Sequence, residues 1–217
     1  MSVRDRERWE ARFGREGLVM GEGVKPLLRE LEPVLPRSGR ALDIACGEGQ
    51  LAVWLAQRGL DVTAVDISPS GLAKLRAQAA AAGVAGRVRS LEADLDHGLP
   101  ALEPGFDLVT CIDFYSPPVM AQARALLAAG GMLLVEVVLE RSEAEARCKS
   151  ERFGVDASAG GEQRPAGESP HRARSNEALE FAAGMRLQFW REGSIGGRAL
   201  AQLLAQREPA SRLVFSE

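Results

Sequence analysis

Between residues 40 and 138 the chain alternates short runs of β-branched and apolar residues with longer stretches rich in alanine and leucine. Extended and helical patterns in alternation predict a parallel sheet with helices on both faces, a doubly wound α/β architecture. Strands are predicted at 40–45, 61–66, 87–92, 106–112 and 132–138, each bounded by Gly, Pro, Ser or Asp. The best-marked helix opens at Ser68-Pro69, a capping hydroxyl followed by a residue suited to the first helical position, and runs to about Ala82 before Gly83 stops it. Ahead of the sheet, 6–13 and 25–35 read as helices joined by a glycine-bearing stretch, 14–23, and are expected to pack across the strand ends. Beyond the sheet, 185–190 alternates like a strand, whereas 197–206 favours helix by propensity.

The segment 154–175 is rich in Gly, Ser, Pro and charge without periodicity, which predicts a mobile insertion. A chain of 217 residues suffices for one α/β domain. The expected division is a helical cap at 1–38 and a main domain at 39–217. The start of the chain has no apolar stretch of signal-peptide length, and no segment approaches the roughly 20 apolar residues that cross a bilayer. A cytoplasmic protein without a membrane partner is expected. The net charge of −3 offers no electrostatic footprint for a phosphate backbone, so nucleic acid is not an expected partner. Cys46, Cys111 and Cys148 are too widely spaced for a metal site or a disulfide framework, and no metal is expected.

The chemistry concentrates in Ala41-Leu-Asp-Ile-Ala-Cys-Gly-Glu-Gly49, where an apolar strand ends in a carboxylate and a glycine turn feeds a helix. Gly47 and Gly49 let the backbone turn tightly and approach a ligand at the helix N-terminus. The same glycines fit a dinucleotide fingerprint, with Asp66 placed for a ribose hydroxyl, so they do not by themselves choose the cofactor. Asp43 does discriminate: a carboxylate so near the turn repels a pyrophosphate and attracts the ammonium of S-adenosylmethionine. Asp66 closes the second strand and Asp94 follows the third, which completes a nucleoside pocket at successive strand ends.

These residues resemble class I S-adenosylmethionine-dependent methyltransferases, through 43–49, Val65-Asp-Ile-Ser68, 106–112 and Ala129-Gly-Gly-Met-Leu-Leu134. Trp9-Glu-Ala-Arg-Phe13 and the run 56–66 are similar to the tellurite-resistance type and its uncharacterised bacterial relatives. The resemblance implies a Rossmann-like, seven-stranded, mostly parallel sheet with an antiparallel last strand, which turns the reading of 197–206 from helix to strand. It also implies that Asp43, Gly47 and Gly49, with Ala45 and Cys46 in the same turn, surround the methionyl part of the cofactor. Asp66 and Ile67 would take the ribose and adenine, Asp94 and Leu95 the adenine edge, and Ile112 the floor under the sulfonium. Ala45 departs from the family pattern, where many members carry glycine.

Methyl transfer from a sulfonium proceeds by positioning and desolvation, so a base is not obligatory. The acceptor is expected to be a small molecule bound beside 113–118, with Tyr115 its foremost contact and Asp113 nearby. Glu136, a charge within the fifth strand, faces either the pocket or a solvated edge. His171 is a further candidate in the insertion, while His97 reads as solvated. Trp9 and Phe13, four apart on a helix, either lid the cofactor or staple the helix to the core. Two rival functions remain at this point, a non-catalytic binder of the cofactor and an NAD-dependent oxidoreductase. A monomer and a homodimer fit equally.

Overall fold

The computed structural model describes residues 3–140 and 172–208. The N-terminal segment, called the cap below, contributes α1 (Val3–Phe13) and α2 (Pro26–Leu31). The alternating region folds as β1 (Arg40–Ile44), α3 (Gln50–Gln57), β2 (Asp61–Asp66), α4 (Pro69–Ala81), β3 (Val88–Glu92), β4 (Phe106–Ile112), α5 (Pro117–Ala125) and β5 (Leu127–Val138). A hairpin of β6 (Arg186–Ile195) and β7 (Arg198–Gln206) follows. The described strands form one sheet in the order β3-β2-β1-β4-β5-β7-β6. β7 runs antiparallel to both β5 and β6, and the other neighbours pair in parallel. The seven-stranded, mostly parallel α/β fold expected from the family resemblance is therefore the one observed.

Adjacent residues along the central strands serve opposite faces, as strand geometry requires. Leu42 and Leu133 join one buried cluster with Met120 and Ala123 of α5, while Ala41 and Leu134 join the other with Leu28, Leu55 and Leu75 of α2, α3 and α4. Burial on both faces explains why these strands read as nearly continuous apolar runs. α4 starts as predicted: the Ser68 hydroxyl accepts from the Gly71 N–H at 3.1 Å, and Pro69 occupies the first turn.

Two boundaries differ from expectation, and the expected last strand forms against its propensity. The helix predicted over 25–35 ends at Leu31, because the ring of Pro33 cannot continue it, and Val34 and Leu35 instead close turns onto the Leu31 carbonyl. β5 begins at Leu127 rather than 132, since Leu127 already pairs with Phe106 ahead of an irregularity in the register. The last strand overrides its helix propensity because it is paired on both edges and nearly continuously buried. Its turn, Gly196-Gly197, has φ 58° and 78°, the double positive φ of a two-residue hairpin.

Of the expected insertion, 154–171 lies outside the described residues. The chain returns at Arg172, and Ala173 bridges to the end of β5, donating to the Val138 carbonyl at 3.0 Å. Among the described residues no helix is long and apolar enough to cross a membrane.

Candidate functional site

β1 delivers Asp43 to the carboxyl edge of the sheet, and the chain then reverses through Ala45 (φ 56°), Gly47 (φ 56°) and Gly49 (φ 85°) into α3. Both glycines are required, for packing as well as for the turn. A Cβ on Gly49 would lie 2.1 Å from Leu75 Cδ1, and one on Gly47 would lie 3.2 Å from the Phe13 ring. The turn is thus sandwiched between α4 and the cap helix α1.

A cavity of about 290 Å³ opens beside it. Its sheet side is formed by Asp43, Ala45, Cys46, Gly47, Asp66 and Ile112. The cap supplies the opposite wall through Trp9, Phe13, Met20, Val24, Lys25 and Leu28. Asp113, Phe114, Val138 and Arg172 close the end nearest β4 and β5. Trp9 and Phe13 stack with ring centroids 5.4 Å apart; Phe13 is buried against the turn, which staples the helix, and both rings line the cavity.

The two strand-end acids face this space under different constraints. Asp66 is pinned, its oxygens accepting from the Gly47 N–H at 2.8 Å and the Ser68 N–H at 2.9 Å. Burial nonetheless raises its pKa. Asp43 accepts one bond, from the Thr110 hydroxyl to Oδ1 at 2.8 Å, and its buried Oδ2 has no partner among the described residues. Burial pushes the Asp43 carboxyl up to about 7; the Thr110 hydroxyl opposes the shift and the charge of Asp66 adds to it.

Around the cavity the cap is tied to the sheet by charge. Glu48, wholly buried, accepts from the Val19 and Met20 N–H groups at 3.1 and 2.9 Å and from Lys74 Nζ at 2.8 Å. Burial raises this carboxyl, but Lys74 and the two N–H groups outweigh it and hold Glu48 below its ordinary value. Lys25 bonds both Asp113 and Glu136, and Gln202 donates to the second oxygen of Glu136 at 2.6 Å. Asp113 sits at φ 60° and also pairs with Arg198 at 2.8 Å. Burial pushes the Asp113 carboxyl up, yet the two cations hold it low. Glu10 anchors α1 by accepting from the Ser68 and Ser70 hydroxyls and the Ser70 N–H.

Several expected site residues lie elsewhere. Glu136 faces neither the cavity nor solvent: it is 3% exposed and committed to Lys25 and Gln202. Tyr115, expected against the acceptor, is turned into the core beside Phe181, and its phenol pKa is raised by burial and by Glu177. The left-handed Asp113 redirects the chain, so Phe114 lines the cavity in its place. Asp94 caps the short turn that follows it by accepting from the Asp96 N–H at 3.0 Å. Leu95 and Ile67 are core residues; neither these nor Asp94 line the cavity in this conformation. His97 is exposed, and His171 lies outside the described residues. Sequence reasoning missed Glu48, Lys25 and Thr110. A charge between the two turn glycines and a polar residue within the apolar run 106–112 were the available signals.

Residues 41–131, which span the turn, the strand-end acids and β4, match the family model described as a methyltransferase domain. This segment is similar to the methyltransferase domains of class I, S-adenosylmethionine-dependent enzymes. It is 34% identical over 124 residues to the ribosomal RNA small subunit methyltransferase C of Chromohalobacter salexigens, covering 54% of this chain and 37% of that protein. It is 36% identical over 107 residues to the ubiquinone biosynthesis O-methyltransferase of Xanthomonas campestris, covering 46% and 43%. The chain therefore spans less than half the length of either relative. The crystal structure of TehB from Haemophilus influenzae superimposes with a TM-score of 0.65 at 15% identity, over 85% of this chain and 63% of that one, a likeness of fold. Other structures of the fold hold S-adenosylhomocysteine, the demethylated cofactor.

The cavity suits that cofactor. An unpartnered carboxylate oxygen buried in its wall matches an ammonium and opposes a pyrophosphate, so the dinucleotide alternative gives way.

Proposed function

We propose that this protein transfers a methyl group from S-adenosylmethionine to a small-molecule acceptor in the cytoplasm. The observation that carries the reading is the cap: Trp9, Phe13, Met20, Val24 and Leu28 wall the cavity opposite Asp43 and so restrict what can approach it. In this reading residues 1–38 act as the cap and the rest as the methyltransferase domain. Asp43, with Ala45, Cys46, Gly47 and Gly49, would hold the methionyl end. Asp66, kept rigid by two backbone donors, would accept from the ribose hydroxyls with its remaining lone pairs. Ile112 would floor the sulfonium, and Phe114, Val138 and Arg172 would meet the acceptor. The bound cofactor supplies an electrophilic methyl on a sulfonium. The chain's own contribution is to align the acceptor and exclude water with apolar walls.

The likeness to a ribosomal RNA methyltransferase favours a second reading with an RNA acceptor; the net charge of −3 weighs against it. Calorimetric titration with S-adenosylmethionine, S-adenosylhomocysteine and NAD, on the wild type and on Asp43→Ala and Asp66→Ala, tests the cofactor assignment. Binding of the sulfur nucleosides at micromolar strength, weakened by both substitutions, supports it; binding of NAD alone refutes it. Incubation with methyl-labelled cofactor and either a small-molecule extract or small ribosomal subunits tests the acceptor. Label confined to ribosomal RNA refutes the small-molecule reading, and no transfer to either leaves a cofactor-binding protein without turnover.

A further inference from the structure

Thr110 stands beside Asp43 in the parallel register of β1 and β4. It is fully buried, with its hydroxyl 2.8 Å from Asp43 Oδ1 and 3.3 Å from the Leu42 carbonyl oxygen. A hydroxyl has one proton to donate. The shorter bond, to the group that can carry charge, takes it. With Oδ1 so engaged, Oδ2 is left as the unpartnered oxygen of a residue that lines the cavity.

We propose, resting on the cofactor reading above, that Thr110 is a positioning residue: by donating to Oδ1 it presents Oδ2 to the cofactor's ammonium and couples cofactor binding to loss of a proton from Asp43. The charged groups around the carboxyl frame this coupling; of those lining the cavity, Arg172 and Glu48 make no bond to Asp43. Asp66 at the end of β2 adds like charge, and burial keeps the thiols of Cys46 in the turn and Cys111 on β4 protonated. The cap's Lys25 is engaged by Asp113 and Glu136, and Arg8 pairs with Asp5. Thr110 is thus the single hydrogen-bond donor to Asp43 among the described residues. Burial brings Asp43 to about 7, so below that pH the free protein presents a neutral carboxylic acid. A cation recovers the carboxylate by displacing the proton, and its affinity rises with pH, approaching about tenfold per unit well below the midpoint.

The experiment is calorimetric titration of the full chain with S-adenosylhomocysteine at pH 5.5, 6.5 and 7.5, in buffers of low and high ionisation enthalpy. It is repeated on Thr110→Val, which keeps the shape and removes the donor, and on Thr110→Ser, which keeps the donor. The wild type should bind more tightly as pH rises and release a proton. Thr110→Val should bind on the order of tenfold or more weakly at pH 6.5, with its pH dependence displaced upward, and Thr110→Ser should restore both. Melting curves for each variant separate this from loss of fold. Binding that is independent of pH without proton release, or a folded Thr110→Val that binds as the wild type does, overturns the proposal and leaves the cofactor reading intact. Should Thr110→Val not fold, the wild-type proton release and the Thr110→Ser profile decide. No binding by the wild type overturns both.

Discussion

Replacing Glu48 by glutamine removes one charge from the centre of the cap's attachment with almost no change in volume. The wild-type carboxylate is wholly buried and accepts from Val19 N–H, Met20 N–H and Lys74 Nζ, all within 3.1 Å. A glutamine amide keeps one acceptor oxygen and points its NH₂ at a donor, so a partly buried backbone N–H is left without an acceptor, at a cost of about 1–3 kcal/mol. Loss of the partly screened pair with Lys74 adds about 1 kcal/mol. The sum, about 2–4 kcal/mol, corresponds to a fall in Tm of roughly 4–16 °C for a domain of this size. The damage should be directed: Lys74 also bonds the Arg15 and Gly17 carbonyls, so residues 15–20 lose their tether and trypsin should cut after Arg15. Because the folded-state pKa of Glu48 is depressed, its contribution is complete above the ordinary glutamate range and is lost as pH falls through the folded value. The gap between wild type and Glu48→Gln should therefore close in acid. Urea denaturation from pH 7 to pH 3, with limited proteolysis, measures all three effects. A stability within 0.5 kcal/mol of wild type at pH 7, with Arg15 still protected, would refute the assignment of Glu48 as the cap's anchor.

Two further outcomes follow from the same geometry. Ala45 holds φ 56°, where an L-residue is strained relative to glycine, so Ala45→Gly should leave stability unchanged or raise it by up to about 1 kcal/mol, read as a higher urea midpoint. Lys25→Met leaves the buried Glu136 with Gln202 alone and should cost about 2–4 kcal/mol, while Lys25→Met with Glu136→Met should recover part of the loss; the double-mutant cycle reads the coupling.

Much of this protein is determined by local sequence. The alternation over 40–138 and the Ser68-Pro69 cap set the parallel strands and α4, because apolar periodicity and capping act between near neighbours. The glycine turn with Asp43 and Asp66 at strand ends was legible for the same reason, and it marked the carboxyl edge where the cavity opens. Tertiary structure decided the rest. The segment 198–206 is composed for helix and became a strand because pairing with β5 and β6 outweighs propensity, although Gly196-Gly197 already spelled a hairpin turn. Tyr115 went to the core and Phe114 to the cavity through one left-handed residue, Asp113. Thr110, Glu48 and Lys25 acquire their roles from partners 26 to 111 positions away, brought into contact by the strand order and by the cap folding over it. Such pairings depend on which elements become neighbours in space, a property of the assembled sheet that no local pattern encodes.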